Sequence, residues 1–370
     1  MTNREDGEVP SENDPAPSRA PHPAASPAFP PPPPPPPLLT PVAEVVEAVE
    51  YHRLNIARGR RPRWWRPLLV ALLGGALYLA MVLLLVVPLA VLAVFVPEVG
   101  AAFQGLAADP TMLDMNDPVT FTVTMLSIIL LLPALLIASR IIAGRGLGLL
   151  SSVDGRLRWG WMLRGLGIAA VVFTLGMAIQ IALSVIGGAD VVVSEGDFQA
   201  WPMLLLVILL VPLQAATEEY VFRGFLMQAI GSWLRHPAFA ILLPLPLFVF
   251  GHLYDVWGLL SVGAFALAAG WLTWRTGGLE AAIALHIVNN VGVFVLAALG
   301  LVDANSTGGG AIDLLATVVV LGASVAALEW AWRRSSLART RTLRRPAAVP
   351  APIQAQPPFQ PPPPMQAPQA

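Results

Sequence analysis

Eight apolar runs in series, each near the length of a membrane crossing, occupy the middle of this 370-residue chain. They lie near residues 68–96, 118–139, 161–187, 201–230, 237–252, 256–274, 279–299 and 311–332. A helix needs roughly 20 apolar residues to cross the hydrocarbon core. In lipid, every backbone N–H and C=O has to be satisfied inside the protein, which leaves helices or closed barrels. The fifth run is short for a crossing. Only 12% of the residues are charged and 56% are hydrophobic, against about 25% charged in an average soluble domain. The series predicts an all-α polytopic protein of the cell membrane, with eight transmembrane helices.

The connections alternate in charge. Arg58, Arg60, Arg61, Arg63 and Arg66 precede the first run, and Arg140, Arg145, Arg156 and Arg158 lie between the second and third, with Arg164 in the first turn of the third. Arg235 falls between runs four and five, Arg275 between six and seven, and Arg333 and Arg334 head a basic stretch after the eighth. The other connections carry acids: Glu98, Asp109, Asp114 and Asp117, then Asp190, Glu195 and Asp197, then Asp255, then Asp303. Arginine-bearing loops stay in the cytoplasm, so both termini are expected there. No lysine occurs among the 22 basic residues, which, with the high Ala, Pro and Gly content, suggests a GC-rich bacterium. Nucleic acid is not an expected partner.

Residues 1–41 are low-complexity and end in the run Pro30–Pro37, and the tail after residue 335 is similarly proline-rich. Such segments cannot bury a core, and both are expected to be disordered. Between the first tail and the first run, Val42, Val45, Val46, Val49 and Ile56 fall at helical spacing, with Glu44, Glu47 and Glu50 off the stripe. This predicts a short amphipathic helix near the membrane surface over 42–57. The stretch "RGRRPRWWR" that follows reads as an interfacial anchor. The first 40 residues contain no apolar run that reads as a secretory leader, and no internal repeat is evident. The chain has no cysteine, which removes disulfides, thiolate metal sites and cysteine nucleophiles.

Against this apolar background, "ATEEYVFRGF" places Glu218, Glu219 and Arg223 inside the fourth run. A charge near the bilayer centre costs at least roughly 2.5–3.5 kcal/mol. Glu219 and Arg223 are four apart and can pair on one helix face. Glu218 points about 100° away and stays available. "FVFGH" brings Phe248 and His252 to the end of the fifth run, behind Pro244 and Pro246, which should kink it. "HIVNN" places His286 and Asn290 on one face of the seventh run, with Asn289 pointing elsewhere. Glu218 precedes Arg235 by as many residues as His252 follows it, so the two lie at similar depth. The expectation is one intramembrane chamber that gathers all four groups and opens toward the cytoplasm.

Buried Glu–Arg pairs and membrane histidines often serve as helix-to-helix glue. Three such features matched in depth on separate helices point instead to a site. With no cysteine and no serine beside a base, water is the natural nucleophile. A desolvated carboxylate can act as its general base, a histidine can orient it, and a second histidine with an asparagine can donate to an oxyanion. Glu218, His252 and His286 are also plausible zinc ligands, although HExxH is absent.

These residues resemble a known family. "EEYVFRGFL" is similar to the EExxxR motif of the CAAX prenyl protease and bacteriocin-processing (CPBP, Abi) family. "FVFGH" and "HIVNN" are similar to its FxxxH and HxxxN motifs, in the family's order. The resemblance covers roughly residues 200–296 and implies an α-helical intramembrane endopeptidase acting on a membrane-associated protein or peptide. It implies that Glu218 and His252 position the attacking water, that His286 and Asn290 form the oxyanion site, and that Glu219, Arg223 and Phe248 support them. No cofactor is favoured, with zinc kept as the alternative. The expected organisation is a tail, helix and anchor over 1–66, N-terminal transmembrane helices over 67–199, the protease-like domain over 200–299, a last helix over 300–334 and a tail over 335–370.

A transporter and a catalytically silent scaffold or chaperone are the competing readings. Transport predicts polar groups along most runs, yet here they cluster on the fourth, fifth and seventh. A silent scaffold predicts decay of the motifs, which are intact. The topology is directly testable. A reporter active only outside the cytoplasm should be silent when fused after Ala370 and active when placed after Asp303; the reverse pattern overturns the orientation.

Overall fold

A computed structural model describes residues 44–55, 63–108, 113–144, 148–186, 200–306 and 309–346. The chain enters as strand β1 (Glu44–Glu50), followed by a single 3-10 turn, Tyr51–Arg53. Helix α1 (Arg66–Leu92) starts on Pro67, which suits the first turn of a helix because its missing N–H would be unpaired there. Helix α2 (Pro97–Ala108) follows. Helix α3 (Pro118–Ile129) is capped by the Asp117 carboxylate, which accepts from Thr120 N at 2.6 Å. It continues after a one-residue break as α4 (Leu131–Ala143), and the pair crosses as one span. The one-turn α5 (Gly148–Ser151) leads to α6 (Trp159–Ile186).

Helix α7 (Ala200–Glu219) runs through a π-helical segment, Tyr220–Leu226, into α8 (Met227–Trp233). Two short helices come next, α9 (Pro237–Leu242) and α10 (Leu245–Val249), broken at Leu243–Pro244. Helices α11 (Val256–Thr276), α12 (Glu280–Ala298) and α13 (Ala311–Arg333) complete the bundle, and strand β2 (Thr340–Pro346) ends it. Among the described residues, seven helical spans are long and apolar enough to cross a membrane. The eighth expected segment is the α9–α10 pair, 237–249, which at 1.5 Å per residue reaches only about 20 Å. Its prolines break it as their positions suggested.

Packing centres on α12, whose Ala281, Ala282 and Ala284 are fully buried. Small side chains let helix backbones approach in lipid, where no hydrophobic drive brings helices together. Helices α6, α7 and α11 all pack against α12, and α13 packs against α6 and α11. Helix α3 meets α7 through Phe121, Met125, Val207 and Val211. Helix α1 rests on α4 through Val70, Leu135 and Ala138 and turns Leu72 and Leu84 outward, as a lipid-facing helix does.

The end of the bundle that carries β1 and β2 is closed by polar bonds. β1 and β2 pair antiparallel, with Glu47 opposite Leu343 and Glu50 opposite Thr340. This corrects the amphipathic helix expected over 42–57 and the disordered tail expected from 335, since both give way to strand over the described part. Residues 1–43 and 347–370 lie outside the described residues. The valine spacing that suggested a helix also alternates with glutamates, and β-branched residues suit a strand once a partner exists. That partner lies some 290 residues away, beyond the reach of local pattern. Gly277 turns α11 into α12 with φ +68°, and a Cβ there would collide with the Arg339 carbonyl just before β2.

Arg158, expected only as a topological marker, is a lock at this end. It is buried and donates two hydrogen bonds to the Glu280 carboxylate (Nε–Oε1 2.9 Å, Nη2–Oε2 2.7 Å), and it also donates to the carbonyls of Thr276 and Ala338. His52 docks the N-terminal turn. Its ring is fully buried, and Nε2–H donates to the Arg235 carbonyl at 3.0 Å. Gly231 makes room for it, because a Cβ there would overlap the His52 carbonyl.

Burial, opposed in part by the Arg235 carbonyl and Glu50, lowers the His52 pKa from its ordinary value of about 6.5. The undocked ring then binds a proton at a higher pH than the docked one. Docking strength is therefore complete above about 6.5 and declines as pH falls below it. In detergent, wild-type protein should lose thermal stability between pH 8 and 5.5, and His52→Gln should flatten that slope. Equal slopes would remove His52 as the cause.

Candidate active site

The π-helical segment Tyr220–Leu226 begins directly after the two glutamates. Such wide turns inside α-helices are frequent at functional sites. Tyr220 anchors this one through its hydroxyl, 2.7 Å from Ser151 Oγ. Glu219 is fully buried, and its Oε1 accepts from Arg223 Nη1 at 2.9 Å and from His286 Nδ1 at 2.8 Å. Arg223 also donates to the Ala266 carbonyl on α11 at 3.3 Å, and its guanidinium lies 4.3 Å over the Phe248 ring on α10. The charge of Arg223 is thereby matched by a carboxylate on one side and an aromatic face on the other.

The His286 bond determines the chemistry of that ring. A carboxylate can only accept, so Nδ1 carries a proton and Nε2 is left to face outward. Nε2 lies 3.6 Å from Glu218 Oε2, close but beyond a hydrogen bond. Glu218 is nearly buried, and Oε2 has no hydrogen-bond partner. An isolated buried carboxylate oxygen costs several kcal/mol unless something fills it. Glu219 Oε2 is likewise without a partner, but it is the Glu218 side chain that borders a cavity of about 480 Å³. His252 lines the same cavity; its Nδ1 lies 2.9 Å from the Phe248 carbonyl, a contact in which the ring must donate, so its Nε2 is free to accept.

Asn290 also lines the cavity, and its amide is oriented from both ends. Nδ2 donates to Gln214 Oε1 at 3.2 Å, and Oδ1 accepts from Asn289 Nδ2 at 3.0 Å. One N–H of Nδ2 remains. Glu218, His252, His286 and Asn290 thus border one chamber, while Glu219, Arg223 and Phe248 hold it from behind or from its wall. Asn289, expected to point elsewhere, lines the chamber too. Gln214 and Tyr254 line it as well and were missed by the sequence reading. Gln214 had a signal, being polar within an apolar run and one turn before Glu218; Tyr254 had none.

The direction of the chamber corrects the expectation that it opens toward the cytoplasmic turns. Its rim is formed by Leu113, Met115, Gly251, Leu253, Asp303 and Asn305. These belong to the α2–α3, α10–α11 and α12–α13 connections, at the end away from the strands and the arginine-bearing turns. Among the described residues, none of the α4–α6, α8–α9 or α11–α12 connections lines it. The depth argument from Arg235 carried no information about which side is plugged.

No group of three His, Cys, Asp or Glu side chains able to hold a metal ion occurs among the described residues. The Nδ1 atoms of His252 and His286 are engaged by the Phe248 carbonyl and the Glu219 carboxylate, which leaves Nε2 of each ring without a hydrogen bond. No step below passes through a metal.

Residues 198–292 match the family model described as type II CAAX prenyl endopeptidase Rce1-like. The resemblance drawn from the three motifs is shown for that segment, and all seven motif residues fall inside it. A Bacillus subtilis (strain 168) protein described as uncharacterized protein YyaK is 27% identical over 168 residues, or 43% of this chain. The chain spans 55% of that relative's length. No solved structure matches the chain.

The pairing of Arg223 with Glu219 makes a stability prediction. Arg223→Ala should destabilise the solubilised protein by roughly 3–5 kcal/mol, the usual loss when one partner of a buried pair is removed. Glu218→Gln, which breaks no hydrogen bond, should melt near wild type. An Arg223→Ala protein as stable as wild type would refute the pairing as an anchor.

Proposed function

We propose that the chain is an intramembrane endopeptidase, hydrolysing a peptide bond of a membrane-associated protein or peptide with a glutamate- and histidine-activated water. The observation that carries the reading is Glu218, whose side chain borders a 480 Å³ cavity together with His252, His286 and Asn290 and whose buried Oε2, without a hydrogen-bond partner, lies 3.6 Å from His286 Nε2. The match of this segment to a prenyl endopeptidase family supports it.

In this mechanism the water donates one hydrogen to Glu218 and the other to His252 Nε2. Glu218 removes a proton as the water oxygen attacks the carbonyl carbon. The developing oxyanion takes hydrogen bonds from the spare Asn290 N–H and from His286 Nε2–H. His286 serves in its doubly protonated form, whose charge Glu219 offsets through Nδ1. Collapse of the intermediate breaks the C–N bond, and the proton held by Glu218 passes to the leaving nitrogen. Gln214 and Asn289 keep the Asn290 amide pointing the right way.

Comparing membrane proteomes of cells with wild-type protein and with Glu218→Ala should reveal a fragment that depends on Glu218. On that substrate, Glu218→Gln should abolish cleavage. Asn290→Ala should lower turnover by roughly 10²–10³ at near-normal substrate affinity, the usual cost of one oxyanion donor. Activity should survive membrane-permeant chelators. One tightly bound zinc per chain, lost and regained together with activity, would overturn the assignment.

A further inference from the structure

We propose that the chamber opens to the extracytoplasmic side of the membrane, so that its substrate is a translocated polypeptide threaded in from that face. The inference rests on the proposed protease reading and adds the direction of access and a length requirement.

Two independent observations combine. The first is where the cavity opens. Its rim lies on the α2–α3, α10–α11 and α12–α13 connections. The first and third are joined across the mouth by Asn305, which donates to Asp114 Oδ1 at 2.8 Å and accepts from Met115 N at 2.7 Å. The opposite end is sealed. Leu279 N donates to the Ser151 carbonyl, Val153 N to the Gly277 carbonyl, and Arg341 Nη1 to the Val153 carbonyl.

The second observation is charge. No connection at the open end carries an arginine, whereas every connection at the sealed end except the Gly277–Leu279 turn does, and Arg275 sits at the edge of that turn. The positive-inside rule then puts the sealed end in the cytoplasm and the mouth outside. Among the lining residues, Asp303 at the rim and Glu218 at the floor are the two carboxylates, and there is no arginine. A neutral or cationic segment therefore meets no like charge on the way in.

The floor lies deep. His286 sits near the sealed end of α12, and the helix continues for 12 residues to Ala298 at the mouth. At 1.5 Å per residue that is about 18 Å. An extended chain covers about 3.3 Å per residue, so a scissile bond at Glu218 needs at least about five or six extended residues between it and the mouth.

The natural absence of cysteine makes the test clean. Single cysteines are introduced at Ser261 on the chamber wall, at Ala304 on the rim and at Ala48 on β1. Intact cells are then treated with a membrane-impermeant maleimide, with and without permeabilisation. Ser261→Cys and Ala304→Cys should label in intact cells and Ala48→Cys only after permeabilisation. If Ser261→Cys reacts from neither side, Ala304→Cys decides. Labelling of Ala304→Cys or Ser261→Cys only after permeabilisation overturns the proposal. Labelling needs no catalysis, so it is separable from the protease reading. Outside labelling without any Glu218-dependent fragment would refute the enzyme and leave the orientation standing. A fragment formed with inside-only labelling would do the reverse.

Discussion

A single carboxylate oxygen, Glu219 Oε1, holds the site together. It is buried at membrane depth, where an unmatched charge is not tolerated. Arg223 supplies the opposite charge from the next turn, and His286 supplies a second bond from α12. Arg223 then extends the connection to Ala266 on α11 and Phe248 on α10. The group that anchors these helices is adjacent in sequence to the group left unpaired. About 100° of helix rotation separates them, enough to turn one carboxylate into the packing and the other into the cavity. The pair of glutamates thus divides into a carboxylate held in the packing and one that borders the cavity, and the held one also fixes a proton on Nδ1 of the facing imidazole.

The short α9–α10 segment and the cavity are two aspects of one feature. Irregular backbone at membrane depth is tolerated only where protein buries it or water reaches it. The prolines at 244 and 246 end the hairpin early, and Gly251–Tyr254 lines the chamber rather than continuing as helix. His252 can therefore present its ring from a loop instead of from a helix face. Phe248, one turn earlier, packs on Phe222 and Phe265 and fixes the position from which that loop departs.

Much of this was legible in the chain. The crossings follow from apolar length, and the three polar motifs stand out because charge and amide groups are rare in such runs. The division of labour between Glu218 and Glu219 follows from helix geometry alone. What could not be read was long-range. β1 needed its partner β2 at the far end of the chain, and the valines of 42–49 fit a helical stripe as well as an alternating one. Arg158 looked like one more cytoplasmic arginine, since nothing local pairs it with Glu280. The direction of the chamber depends on which end the connections plug, a property of tertiary packing to which sequence depth is blind.

The arginine asymmetry could be suspected of being structural rather than topological, because several arginines at the sealed end are working parts of it. Arg158 is locked to Glu280, Arg275 bonds Glu329, and Arg339 bonds Glu50. Setting these aside still leaves, among others, Arg63, Arg140, Arg156 and Arg235 at the same end, these four exposed, and no arginine in the connections at the other. Asp154, Glu47 and Glu50 share that end without weakening the inference, since acids contribute little to orientation. The end that is sealed by bonds and the end marked by free positive charge are therefore the same end for separate physical reasons. A chamber that is closed there has its opening where the chain carries only acids.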